Sequence, residues 1–173
     1  MIDSNKAKTI ASEAWKLCES EDWEAAILKY EESTSFLDPD HWHSQDIYGE
    51  YAMALGKVGK QDQAEIPLRK ALGSAIRTSG NEALGTTIAR YFLAQNLAHR
   101  KKIEEANEVI SHWLNQDIDG KWLLNYMGAV LAAMQGNVGT MKEMATNAFN
   151  QAPNGKWTSV EEVVEYIENE LCS

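Results

Sequence analysis

SEDWEAAILKYEESTSFLDPD, residues 20–40, contains the pattern that decides the fold. It begins with a charged turn, continues through apolar residues at helical spacing, and stops at Asp38-Pro39. Proline pushes the residue before it out of the helical region, so we expect Asp38-Pro39 to end a helix. A similar apolar pattern begins again at Tyr48 and continues to Ala71. The chain is therefore predicted to be built from repeated helical hairpins.

Small and larger apolar residues recur along the chain with the same internal spacing, and the last copy has one extra residue in its turn. Small residues midway along both helices of a hairpin allow close approach, and larger neighbours three or four positions away fill the remaining space. Such a hairpin has to stack on another to bury its apolar face. In chain order the copies are Ile10, Ala14, Leu17, Ala26, Tyr30 and Ser33; Tyr48, Ala52, Leu55, Ala64, Leu68 and Ala71; Arg90, Ala94, Leu97, Ala106, Ile110 and Trp113; and Leu124, Gly128, Leu131, Met141, Ala145 and Ala148.

Three stretches of the chain resemble the tetratricopeptide repeat (TPR), whose pattern reads W-x2-L-G-x2-Y, then A-x3-F, then P. DWEAAI, residues 22–27, is similar to the turn and the start of the second helix of that repeat. Met127-Gly128, followed by Leu131, resembles L-G-x2-Y, and Pro153 stands where the terminating proline is expected. The resemblance covers about residues 7–153. The chain departs from the family in its repeat length, because equivalent second-helix positions are separated by 38, 42 and 35 residues.

The resemblance implies an all-α protein, a right-handed α-α superhelix of about four TPR-like hairpins with a C-terminal capping helix. We expect residues 1–157 to form the array and residues 158–173 the capping helix. The predicted helices are 5–20, 22–37, 43–57, 61–78, 82–100, 103–115, 121–135, 138–151 and 159–171.

The last predicted helix begins with Ser159 and Glu162, which are spaced as in a capping box. Its apolar stripe consists of Val160, Val163, Val164, Ile167 and Leu171. One interpretation is a cap that covers the exposed end of the array. The other is a mobile acidic helix that engages a partner.

The formal net charge of −10 disfavours nonspecific binding to nucleic acid, because phosphates bind to cationic surfaces. Ten acids and only Lys29 lie between Glu19 and Glu50, whereas residues 57–102 contain nine Lys and Arg. No export signal or membrane span is predicted, and we expect a cytoplasmic protein that binds neither nucleic acid nor membrane. Cys18 and Cys172 are expected to be reduced thiols.

Residues that would support catalysis or cofactor binding are not arranged in a recognisable motif. His41 and His43 are a close pair without further ligands at metal-binding spacing, and LGKVGK, residues 55–60, lacks the Ser or Thr of a phosphate loop. We therefore expect a protein that is not an enzyme and that has no cofactor and no metal site.

The resemblance implies a protein–protein interaction module that binds a peptide or helix of a partner protein in its concave groove. Counted from Ala14, Ala52, Ala94 and Gly128, the partner-binding side chains are expected to be Trp15, Met53, Tyr91, Gln95, Trp122 and Asn125. A second interpretation of the tryptophans is that Trp15 and Trp122 only pack between neighbouring hairpins. Positions that grip a carboxylate in chaperone-binding members of the family are occupied here by Ala11, Trp15, Gly49, Met53 and Ile88, which disfavours that activity.

Two alternative functions remain open from the sequence. One is a small acidic immunity or inhibitor protein that neutralises a basic surface. The other is a chaperone that holds a secreted protein. The oligomeric state cannot be inferred from the residues.

Overall fold

The computed structural model describes residues 2–172, except for the side chain of Cys172. This part of the chain is all-helical and contains no strand, which confirms the predicted fold class at that level. The helices are α1 (Ser4–Glu19), α2 (Trp23–Thr34), α3 (Ser44–Lys57), α4 (Gln61–Ser79), α5 (Leu84–His99), α6 (Ile103–Ile110), α7 (Lys121–Met134), α8 (Val138–Gln151) and α9 (Val160–Cys172), with a 3-10 turn at Trp113–Asn115.

The chain divides into two compact units, Met1–Asn81 and Glu82–Ser173. In the first unit α1 packs on α2 and α3 packs on α4, while α3 also contacts both helices of the first hairpin. In the second unit α5 packs on α6 and α7 packs on α8. Helix α7 lies at the centre of this unit, because it also contacts α5, α6 and α9. Consecutive helices therefore form four hairpins, two in each unit.

The small residues of the repeated pattern lie in the helix contacts. Ala14 and Ala26 are fully buried in the first hairpin, and Ala94 and Ala106 are fully buried in the third. A Cβ atom added to Gly128 would lie 2.5 Å from Met144 Sδ, so this glycine allows α8 to approach α7 closely. Their small size therefore suits the close approach of the paired helices.

Helix α2 ends at Thr34, so the prediction that it continues to about residue 37 was wrong. The backbone carbonyl of Phe36 accepts a hydrogen bond from the amide of Asp3 at 2.8 Å, and the amide of Phe36 bonds to Ser33 in a turn. The chain thus leaves the helix before Asp38-Pro39, and its backbone beyond the helix bonds to the start of the first unit.

Helix α6 ends at Ile110, whereas the sequence predicted a helix over residues 103–115. Trp113 occupies a position at which other copies of the repeat have Ser or Ala, and it lies in the separate 3-10 turn. The guanidinium carbon of the buried Arg90 lies 3.8 Å from the centre of its ring. Burial lowers the pKa of Arg90 to about 10. At this position a bulky indole stacked on a buried cation replaces the small residue that the other copies have. The α-helix ends before this indole.

Among the described helices, none combines the length and the apolar composition needed to cross a membrane.

Candidate partner-binding surface

Trp15 and Met53 expose apolar side chains at equivalent positions of α1 and α3. Trp15 follows the buried Ala14, Met53 follows the buried Ala52, and the two helices contact each other. Trp15 is 42% exposed and Met53 is 38% exposed. The first helices of the two hairpins therefore present large apolar side chains to solvent in the first unit.

Two neighbouring residues shape the surface around these side chains. A Cβ atom on Gly49, one helical turn before Met53, would meet no atom within 4 Å, so the surface is open above this glycine. The indole Nε1 of Trp15 donates a hydrogen bond to Glu19 Oε1 at 3.0 Å. We call Trp15, Gly49 and Met53 the first-helix surface. An apolar side chain of a ligand has space beside Met53 and apolar atoms to contact.

A partly buried polar pair joins α2 to α3. The hydroxyl of Tyr30, which is fully buried, donates to Glu50 Oε2 at 3.1 Å. Burial is the largest effect on the Glu50 carboxyl and raises its pKa, although the hydrogen bond from Tyr30 opposes the shift. Burial, followed by the negative charge of Glu50, raises the pKa of Tyr30 in turn. Cys18 is a buried free thiol, and its charge and hydrogen bond raise the pKa of Tyr30 further.

We expect Glu50→Gln to stabilise the chain at pH 7 relative to the wild type and to lose this advantage near pH 4. A raised pKa means that the folded state holds the proton more tightly. The stability contributed by Glu50 is therefore complete below the ordinary pKa and is lost as pH rises through the raised value. Glutamine keeps an acceptor for Tyr30 without ionising. The measurement is the difference in melting temperature between variant and wild type from pH 4 to pH 8.

Glu13→Gln is the matched control for this prediction. Glu13 is exposed, and its hydrogen bond with Lys29 and the charge of Lys29 lower the pKa of its carboxyl. The stability that Glu13 contributes is present above its ordinary pKa and is lost as pH falls. The difference in melting temperature between Glu13→Gln and the wild type should therefore have the opposite sign to that of Glu50→Gln, and it should be small. A Glu50→Gln variant whose difference in melting temperature does not change with pH would contradict the role of burial.

In the second unit, the predicted partner-binding residues Gln95 and Tyr91 lie next to α9. Gln95 Nε2 donates to Glu170 Oε1 at 2.8 Å, and the hydroxyl of Tyr126 donates to Glu170 Oε2 at 2.8 Å. Tyr91 lies beside both groups, because its ring centre is 6.5 Å from that of Tyr126 and Gln95 Nε2 lies 3.4 Å from its hydroxyl. Burial, with a smaller effect of the Glu170 charge, raises the pKa of Tyr91 to about 12. Glu170 thus joins α9 to α5 and to α7.

Trp122 and Asn125 also meet other parts of the second unit. The ring centre of Trp122 lies 5.4 Å from that of Trp157 in an edge-to-face arrangement, and Trp157 stacks on Tyr126 at 5.8 Å. Asn125 is buried, and its Nδ2 donates to Gln151 Oε1 at 2.9 Å. We call Tyr91, Gln95, Trp122 and Tyr126 the aromatic face of α5 and α7. The chain's own segment from Trp157 to Glu170 lies against this face.

The six predicted residues therefore fall into two groups in different units. Trp15 and Met53 are exposed, whereas Tyr91, Gln95, Trp122 and Asn125 contact side chains of their own unit. Sequence reasoning did not select Tyr126, Trp157 or Glu170. Tyr126 could have been found, because it lies one helical turn after Trp122. Trp157 and Glu170 carry no comparable signal, since their roles depend on where α9 folds back.

A cavity of about 310 Å³ lies between α5, α7 and the end of α9. Met127, Val130 and Met134 of α7 and Leu171 of α9 supply its apolar lining. His99, the last residue of α5, and Lys101, in the turn that follows, supply basic groups at the same cavity. This combination of apolar and basic lining suits a ligand with an apolar side chain next to an acidic group.

In the part of the chain that the structure describes, no three His, Cys, Asp or Glu residues are grouped so that they could hold a metal ion. The ring of His43 lies tilted against that of Trp42, with 3.3 Å between ring centres. Burial, followed by the charge of Lys8, lowers the pKa of His43.

No model of a known protein family matches this chain, and a comparison with curated proteins gives no match.

Proposed function

We propose that this protein is a TPR-like interaction module that binds a peptide or helix of a partner protein on the first helices of its hairpins. The proposal includes the TPR arrangement, a right-handed superhelix of about four hairpins, and no enzymatic activity. It is supported by the recurring spacing of the buried small residues and by the packing of consecutive helices as hairpins. The observation that carries it is the exposure of Trp15 and Met53 at equivalent positions of contacting first helices.

The chemistry of these side chains suits the binding of an apolar segment. A tryptophan buries a large area and keeps its ring N–H for a hydrogen bond, here to Glu19. Methionine adapts its shape to irregular partners. Covering the exposed parts of both would contribute on the order of 2 kcal/mol, at about 25 cal/mol per Å² of apolar surface. Side chains of this kind often dominate the free energy of binding.

We expect Trp15→Ala combined with Met53→Ala to reduce the amount of captured partner at least ten-fold. The measurement is quantitative mass spectrometry after affinity capture from source lysate with the wild-type chain and each variant as bait. Because both side chains are partly exposed, helicity and melting temperature should change little.

Leu28→Ala combined with Ile66→Ala is the matched control. These residues are 67% and 63% exposed, but they lie on the second helices α2 and α4. The control should capture the same partner in the wild-type amount. Loss of capture with the control pair, and not with the Trp15 and Met53 pair, would contradict the proposal. Loss only after charge reversal among residues 19–50 would place the site on the acidic surface instead.

A further inference from the structure

We propose that the aromatic face of α5 and α7 is a binding site for an acidic amphipathic helix of a partner protein, and that α9 occupies this site until the partner displaces it. The inference rests on the proposed function, because it identifies the class of partner and the control of binding in the second unit. The chain itself supplies the evidence, since Glu170 of its own helix α9 and Trp157 just before that helix contact this face.

Apolar contacts attach α9 to the second unit. Val163 and Ile167, one helical turn apart, are fully buried, and α9 packs on α7 and α8. Trp157, just before the helix, contacts Trp122 and Tyr126 by its ring. A ligand for this site therefore needs two branched apolar residues four positions apart and an aromatic residue before them. This is the usual pattern of a helix bound in a groove.

A carboxylate fixes the direction of the bound helix. Glu170, three residues after Ile167, accepts hydrogen bonds from Tyr126 and Gln95. Both donors belong to the body of the unit, and the acceptor belongs to the helix. His99 and Lys101 line the cavity at the same end. Hydrogen bonds to an ionised group are stronger than neutral ones, so the site favours a helix with a carboxylate at this position.

The end of α9 fills its site incompletely. Leu171 lines the 310 Å³ cavity and is nevertheless 43% exposed. The two methionines of the cavity, Met127 and Met134, can adapt to a larger side chain. A partner helix with an aromatic residue at this position would bury more apolar surface than α9 does. This larger apolar burial would favour the partner helix over α9 at the site.

Helix α9 is held by its contacts with the second unit rather than by its own helical stability. A helix of 13 residues is marginally stable by itself, so its structure depends on the contacts just described. A partner that binds only the open state has its apparent affinity reduced by the fraction of open molecules. Substitutions that loosen α9 should therefore increase the affinity for a helix added in trans. Substitutions on the face should decrease it.

The test uses the full-length chain and a fluorescent synthetic peptide of residues 156–173 with Cys172→Ser. Fluorescence anisotropy measures binding of the peptide to the wild-type chain and to a chain with Ile167→Ala and Glu170→Ala. We expect the loosened chain to bind at least ten-fold more tightly than the wild type. A peptide with Leu171→Phe should bind more tightly than the native peptide, whereas a peptide with Val163→Asp and Ile167→Asp should not bind.

A double-mutant cycle tests whether the peptide binds the aromatic face of α5 and α7. In the loosened chain, Tyr126→Phe should weaken binding of the native peptide several-fold and leave binding of a Glu170→Ala peptide unchanged, because the carboxylate that Tyr126 binds is then absent. If the loosened chain does not fold, hydrogen exchange of the wild-type chain provides the test. Excess Leu171→Phe peptide should then accelerate exchange of the amides of α9 and leave those of α7 protected.

Three results would overturn the inference: equal binding of the native and aspartate-substituted peptides, unchanged protection of α9, or a loosened chain that forms dimers by exchanging α9 and does not bind the peptide. The last result would make a second copy of the chain the occupant. Failure of the proposed function is distinguishable, because it concerns Trp15 and Met53 in the first unit. If partner capture depends on Trp15 and Met53 but the chain binds no acidic helix, the proposed function stands and this inference is wrong.

Discussion

Deletion of residues 159–173 is expected to cause self-association and a large loss of stability in the second unit. It removes Val163 and Ile167, which are fully buried, and exposes the apolar surfaces of α7 and α8 that they cover. Two buried aliphatic side chains correspond to roughly 3–6 kcal/mol of apolar burial. An exposed apolar patch of this kind promotes association. Light scattering after size exclusion and thermal unfolding measure the two effects.

The control for the deletion is a full-length chain with Tyr166→Ser and Glu168→Ala. These residues are exposed on α9, so the chain should remain in the wild-type oligomeric state with nearly the same melting temperature. A truncated chain with wild-type oligomeric state and stability would show that α9 does not cover an apolar face. The interpretation as a capping helix would then be wrong.

Ala106→Leu is expected to destabilise the chain by about 1–3 kcal/mol. Ala106 is fully buried in α6, which packs on α5, and leucine would add three carbon atoms at this contact. Larger side chains in a packed core force neighbouring helices and rotamers to move. The expected decrease in melting temperature is several degrees, at about 4–8 °C per kcal/mol for a unit of this size. Chemical denaturation gives the free energy of unfolding directly.

Glu108→Leu introduces the same side chain two residues later in α6 at an exposed position. Leucine is as good a helix former as glutamate, so this control should remain close to wild-type stability. Ala64→Leu repeats the test in α4 of the first unit, where Ala64 is also buried. Wild-type melting curves for both alanine variants would show that these positions do not lie at the contact between helices.

The sequence predicted the helices well where local signals and the repeated pattern agree. Helix α8 has the predicted bounds, 138–151, and α3 and α7 differ from theirs by one residue at one end. Ser159 caps α9 as expected, because its hydroxyl accepts a hydrogen bond from the amide of Glu162. The Glu162 carboxylate binds Thr158 rather than the amide of Ser159, a detail that depends on how the preceding loop turns.

The surface could be predicted only in part. The spacing from Ala14 and Ala52 selected Trp15 and Met53, both of which are exposed. The same spacing could not show that Gln95 and Trp122 contact the end of their own chain. Those contacts join residues as many as 75 positions apart, and a helical period contains no information about such distances.

The sequence by itself determined the helical class of this protein, because small and large apolar residues at helical spacing and a few caps act within one hairpin. The tertiary structure decided what lies on each face. Asp3 binds Phe36 just beyond the end of α2, Trp113 stacks on Arg90, and Glu170 joins α9 to α5 and α7. Each of these contacts joins residues separated by tens of positions, whose proximity depends on the packing of whole helices rather than on any local preference.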